Sequence, residues 1–170
     1  MENKNTSVFM NALTWGIILG LVSIVYSVIL YMVDQVFNQT LGYLSILILI
    51  AGLVISVKSY RDNVLEGEIT FGKAFGFGVL VALVSAVLGA IYNYLLYTVI
   101  DPDLQKKMLE MAAEKMLEQG MPEGQIDQAL EITKRFMSPV FTSIIAVFSG
   151  TLFGTIISLV VAAIFKKESE

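Results

Sequence analysis

The sequence predicts an all-α, polytopic membrane protein: four transmembrane helices, with an extramembrane two-helix hairpin inserted between spans three and four. Three observations carry this reading. Of the 170 residues, 56% are hydrophobic and only 15% charged, against roughly 25% charged in an average soluble domain. The apolar residues gather in blocks free of Asp, Glu, Lys and Arg, at Asn5–Val33, Gln35–Val57, Ala74–Ile100 and Phe136–Phe165. Each block reaches the ~20 residues that cross a ~30 Å hydrocarbon core. The blocks are continuous, whereas barrel strands alternate apolar and polar residues over ~10 positions.

Span one covers about residues 9–33 and stops at Asp34. Its apolar run exceeds the roughly 7–15 residues of a signal-peptide core and no small-residue cleavage site follows, so a retained span is expected. A short polar turn, Asp34–Thr40, leads to span two, about residues 41–57. Lys58–Lys73 is expected to be a mixed-charge connector containing Arg61, Asp62, Glu66, Gly67 and Glu68, with Thr70 capping span three, about residues 71–100. Span four, about residues 139–165, stops at Lys166 and Lys167. Lys4, Lys58, Arg61, Lys73, Lys166 and Lys167 flank one set of span ends and the Asp34–Thr40 turn carries no cation. The positive-inside rule then places both termini in the cytoplasm, although Lys106, Lys107, Lys115, Lys134 and Arg135 in the hairpin pull the other way. Trp15, Tyr60, Phe71, Phe75 and Phe165 at one set of ends, and Tyr31, Tyr43, Tyr94, Tyr97 and Phe141 at the other, fit two interfacial aromatic belts.

Residues 101–138 carry helix punctuation. Asp101 reads as an N-cap with Pro102 at the first helical position and Asp103 in the positive first turn. Gly120 reads as the residue that ends the first helix, Pro122-Glu123 as the start of a second, and Ser138-Pro139 as its end and the start of span four. Leu104, Met108, Met111, Ala112 and Lys115 on one helix, and Ile126, Ala129, Leu130, Thr133 and Met137 on the other, fall at helical spacing and are expected to face each other. Glu110, Glu114 and Glu118 stack carboxylates that are either a solvated face, partly neutralised by Lys134 and Arg135, or oxygen ligands for a divalent cation. Met108, Met111 and Met116 make either packing or an adaptable docking surface.

Within the spans, small residues recur. Gly150, Gly154, Ser158 and Ala162 in span four, Ala82, Ala86 and Ala90 after Gly72 and Gly76 in span three, and Gly16 and Gly20 in span one allow close helix approach. They serve either packing within one bundle or a homodimer. Tyr92, Asn93, Tyr94 and Tyr97 form the densest polar cluster, readable as a ligand pocket or as interhelical hydrogen bonding and interfacial anchoring. Asn38-Gln39-Thr40 and Asn5-Thr6-Ser7 match the glycosylation pattern, each beside a span.

The inventory excludes much chemistry. The chain has no Cys and no His, which removes disulfides, thiolate nucleophiles, His-ligated metals and imidazole acid–base catalysis. A net charge of -4 offers no basic surface for nucleic acid. Ionisable residues at membrane depth, which coupled transporters use, are absent from the span interiors. No cofactor is expected.

The order of features resembles the domain-of-unknown-function family 4199. The matching residues are Tyr60-Arg61, Gly67, Ile69-Thr70-Phe71-Gly72-Lys73-Ala74-Phe75, Gly78, Tyr92 and Tyr94, Pro102, Gly120-Met121-Pro122, Phe136 and Ser138-Pro139. The resemblance implies small four-span proteins of the bacterial inner membrane, mainly from Bacteroidota, and transfers no functional residue. Three functions remain: a non-enzymatic membrane protein whose extracytoplasmic hairpin contacts protein or lipid, a small oligomeric channel or facilitator, and a lipid-acting enzyme restricted to carboxylates or Tyr, with Asp34, Asp101 and Glu114 as its candidates.

Overall fold

The computed structural model describes residues 4–167, with side chains from Val8 onward. The side chains of Lys4 and of the Asn5-Thr6-Ser7 pattern lie outside the described residues. The chain folds into α1 (Lys4–Met32), α2 (Gln39–Val64), α3 (Phe71–Leu95), a π-helical turn (Leu96–Ile100), α4 (Leu104–Glu118), α5 (Glu123–Phe136) and α6 (Pro139–Phe165). Segments Val8–Met32, Gln39–Val64, Phe71–Ile100 and Pro139–Phe165 are long and apolar enough to cross a membrane. In hydrocarbon each backbone N–H and C=O must find its partner within the segment, which is why such runs become helices.

Local chemistry sets the ends. The last turn of α1 closes through Gln35 N–H donating to Leu30 O (2.8 Å) and Asp34 N–H to Tyr31 O (3.1 Å). Asp34 sits there at φ 55°, a left-handed position that Asp tolerates better than most side chains. Asn38 caps α2 by accepting from Thr40 N–H (3.0 Å) and Leu41 N–H (3.3 Å). Helix α2 then runs past Val57 to Val64, so the mixed-charge connector is shorter than its charges suggest. Charge alone does not stop a helix. The stop comes at Glu66 (φ 56°) and Gly67 (φ 93°). Thr70 caps α3, accepting from Lys73 N–H at 3.4 Å, as its position suggests.

The chain divides into two compact units, one running to Gly89 and resuming at Val147, the other Ala90–Ala146. In the first, Leu53, Val57, Tyr60, Ile69, Phe77, Val81 and Ala162 form a core from which solvent is excluded, with the Tyr60 and Phe77 rings stacked 4.1 Å apart. Gly16 lies against Val84 and Gly20 against Leu88. Both partners advance by four, so α1 and α3 run parallel. Helices α1 and α2 meet where Leu19 fills the space beside Gly52 and Tyr26 O–H donates to Leu41 O (2.8 Å). A lone antiparallel backbone pair between Ile69 and Lys167, at 3.0 and 2.9 Å, ties the α2–α3 connector to the end of α6.

The second unit contains the hairpin. Asp101 does not cap α4: its N–H closes the π-turn on Leu96 O (2.8 Å), its carboxylate pairs with Lys107 (3.5 Å), and α4 starts at Leu104. Gly120, at φ 78°, ends α4 as expected. Its N–H donates to Leu117 O (2.9 Å) and that of Met121 to Met116 O (3.0 Å), the paired closure that a left-handed glycine permits. Pro122 opens α5. Leu104 and Ile126 are the buried residues of the two helices, and the Gln105 amide binds Met137 O (2.6 Å) across the hairpin base. Ser138 Oγ accepts from Phe141 N–H (3.3 Å) at the start of α6.

Candidate functional site

The small-residue stripe of span four is filled from within the chain. Gly78 lies against Ser158, Ala82 against Gly154 and Ala86 against Gly150. As one number rises by four its partner falls by four, so α3 and α6 pack antiparallel. A Cβ built on Gly78 would come within 2.6 Å of Ser158 Oγ and one on Gly150 within 3.1 Å of Ala86 Cβ, while one on Gly154 would overlap the Ala82 methyl. The same register sets Ala74 opposite Ala162, both fully buried. The stripe on α3 is therefore Ala74, Gly78, Ala82 and Ala86, continued in the sequence by Ala90, and its mate on α6 is Gly150, Gly154, Ser158 and Ala162. Gly72 and Gly76 do not belong to it: a Cβ on either meets nothing within 4 Å. Six residues separate Gly76 from Ala82, a rotation of about 240° that puts them on different faces. Sequence reasoning left Ala74 and Gly78 out of the stripe, although all five residues recur every fourth position.

The four residues of the polar cluster differ in exposure. Tyr94 is 42% exposed, Thr98 O–H donates back to Tyr94 O (2.6 Å), and Tyr92, Asn93 and Tyr97 are half-buried. Asn93 Oδ1 is shut off from solvent without a hydrogen-bond partner, as is Ser143 Oγ in the same unit.

On the hairpin the two stripes meet differently from the expectation. The less exposed side of α4 is Gln105, Leu109, Ala112, Ala113 and Met116, and that of α5 is Ile126, Ala129, Leu130 and Thr133. Met108 and Met111 stay 41% and 48% exposed, and Lys115 is exposed with them. The α4 sequence carries two apolar sides, and small Ala112 and Ala113 let α5 approach one of them closely. Ile132 and Phe136 are exposed on α5.

Glu110, Glu114 and Glu118 all face solvent. Glu110 pairs with Lys106 (3.8 Å), and Arg135 pairs with Glu131 on its own helix (3.1 Å) instead of crossing the hairpin. Among the described residues no group of three or more acidic side chains is placed to hold a metal ion. Of the carboxylates a lipid-acting enzyme would use, Asp34 terminates α1, Asp101 is paired with Lys107, and Glu114 is exposed on a helix surface.

Sequence reasoning gave no special role to Arg61. It donates to Asp62 (2.6 Å) and to Phe165 O (3.3 Å), and its guanidinium lies 5.6 Å from the Phe165 ring centroid. It clamps the end of α2 to the end of α6, 104 residues away. No periodic pattern announces so distant a contact.

Compared with models of known families, residues 14–167 match the one described as protein of unknown function (DUF4199). No curated protein and no solved structure matches the chain.

Proposed function

We propose, for a chain that belongs to the protein-of-unknown-function family DUF4199, a non-enzymatic role in a bacterial inner membrane, exercised through contacts that the extracytoplasmic α4–α5 hairpin makes with protein or lipid. The observation that carries this reading is the hairpin itself. It is sharply closed at Gly120 and pinned at its base by Gln105, yet leaves Met108, Met111, Ile132 and Phe136 exposed. A soluble element that keeps large apolar side chains outside its own core is suited to contact. Its extracytoplasmic placement is supported by the cations at the other end of the spans, against the pull of the five in the hairpin itself. Lys58, Arg61 and Lys73 flank the connector that pairs with Lys167, next to Lys166, whereas the Asp34–Thr40 turn has none. Both termini then lie in the cytoplasm.

The small-channel alternative and the homodimer it would use lose their best surface, because Gly150, Gly154 and Ser158 are occupied by α3 of the same chain. A lipid-acting enzyme would need Asp34, Asp101 or Glu114 in a shared site, and no observation favours that.

Photocrosslinking in living cells tests the contact role. Photoreactive residues at Met108, Met111, Lys115 and Ile132 should yield one reproducible adduct pattern, with protein or with lipid, that disappears when residues 104–136 are replaced by a flexible linker. Adducts drawn at random from abundant membrane proteins, unchanged by that replacement, would refute it.

A further inference from the structure

The hairpin has two unlike sides. At about 100° per residue, counting from the sides of α4 and α5 that face each other, Met108 and Met111 on α4 and Ile132 and Phe136 on α5 fall on the same side of the antiparallel pair. The opposite side carries Lys106, Glu110, Asp127 and Lys134, all exposed. The apolar side continues into the spans. The Phe136 ring packs on Phe141 of α6 with centroids 5.4 Å apart, and Val99, Ile100, Val140 and Phe141 at the span ends are exposed as well. These last residues belong to segments apolar enough to cross a membrane.

The geometry points to the bilayer surface as what covers this side: the hairpin lies with Met108, Met111, Ile132 and Phe136 sunk into the interfacial region and its charged side turned to water. The inference rests on the contact role proposed above and names lipid as the contact of the apolar side. Two features favour lipid over protein. Through Phe136 and Phe141 the patch joins the exposed apolar surface of span ends that are apolar enough to cross a membrane. The hairpin is also tethered tightly, with Asp101–Asp103 before α4 and Met137-Ser138 after α5 as its only linking residues, which holds its base at the membrane surface. Apolar side chains held there are stabilised by sinking to the headgroup–acyl boundary, as in interfacial amphipathic helices. Lys115, on the apolar side nearer the tip, can lay its stem along that boundary and keep its ammonium among headgroups.

The chain has no cysteine, so single-cysteine variants of the whole protein take one nitroxide label each. With the protein in phosphatidylethanolamine–phosphatidylglycerol vesicles, paramagnetic relaxation by oxygen and by a water-soluble nickel chelate is measured for Met108→Cys, Met111→Cys, Ile132→Cys and Phe136→Cys, and for Lys106→Cys, Glu110→Cys, Asp127→Cys and Lys134→Cys. The expected result is an oxygen-to-nickel accessibility ratio several-fold higher for the first set than for the second. Equal nickel access in both sets would overturn the inference and leave the contact role to the crosslinking result. Protection of the first set from both reagents would also overturn it, showing a protein surface, a second copy included, seated on the patch, and would uphold the contact role.

Discussion

Gly154→Ala and Gly76→Ala add the same methyl group to glycines in the two paired helices and should move stability in opposite directions. At Gly154 the new Cβ would overlap the methyl of Ala82, in a seam where Ala82 is 1% exposed and Ser158 fully buried. Both atoms sit on helix backbone, so neither can swing aside and the helices must part. Overpacking of this kind costs about 1–3 kcal/mol, while replacing a helical glycine by alanine returns up to about 1 kcal/mol. An overlap this deep belongs at the upper end of that cost, so a net loss of about 1–2 kcal/mol is expected. At Gly76 nothing lies within 4 Å of the added atom, so only the helix gain of up to about 1 kcal/mol remains. The predicted methyl of residue 154 and the existing methyl of Ala82 fill the same part of the seam. The double change Gly154→Ala with Ala82→Gly therefore moves one methyl from α3 to α6 and should recover most of the loss, a coupling of the size seen between touching residues. Reversible unfolding in mixed micelles with increasing SDS measures the wild type, the single variants Gly154→Ala, Ala82→Gly and Gly76→Ala, and the double variant. A neutral Gly154→Ala, or a double variant no more stable than the sum of its parts, would refute the antiparallel register.

Two further perturbations test other parts of the structure. Phe77→Ala removes a ring that is 1% exposed and stacked on Tyr60; the same unfolding assay should register a loss of about 3–5 kcal/mol, the range for large-to-small core changes. Gly120→Ala forces a Cβ into a left-handed conformation at φ 78°, costing about 1–2 kcal/mol. Because that strain is confined to the α4–α5 turn, hydrogen exchange should quicken at Leu117, Gly120 and Met121 amides while those of α2 stay as they were.

The parts of the fold that physics dictates locally were legible in the sequence. A bilayer demands ~20 apolar residues and tolerates little else, so all the spans stood out. Gly120, Pro122 and Ser138 punctuate the hairpin through their own backbone and side-chain chemistry. What depended on a partner was harder to read. Charges at Lys58 and Arg61 suggested an early end to α2, but helix termination waits for residues that leave the helical region, here Glu66 and Gly67. Met108 and Met111 looked like the inner side of α4, yet α5 selects Ala112 and Ala113, and an isolated helix with two apolar sides does not reveal which one its neighbour takes. Ala74 and Gly78 required the series on α6 to be laid antiparallel against α3 before they joined the seam. Arg61 and Phe165 required the whole fold.

The α3–α6 seam also sets a schedule for biosynthesis. Helix α1 can meet α2 through Leu19 and Gly52 as soon as both have been made, but Gly78 must wait for Ser158, eighty positions later in the chain. At ~5–20 residues per second that delay is roughly 4–16 s. Throughout it the α3 side bearing Gly78, Ala82 and Ala86 lacks its neighbour, and the hairpin is made before α6 arrives. In a membrane it is small residues, not bulky apolar ones, that let helices approach closely, so until α6 is inserted this side of α3 is open to any helix with a matching stripe, and those seconds are when misassembly competes with the native seam.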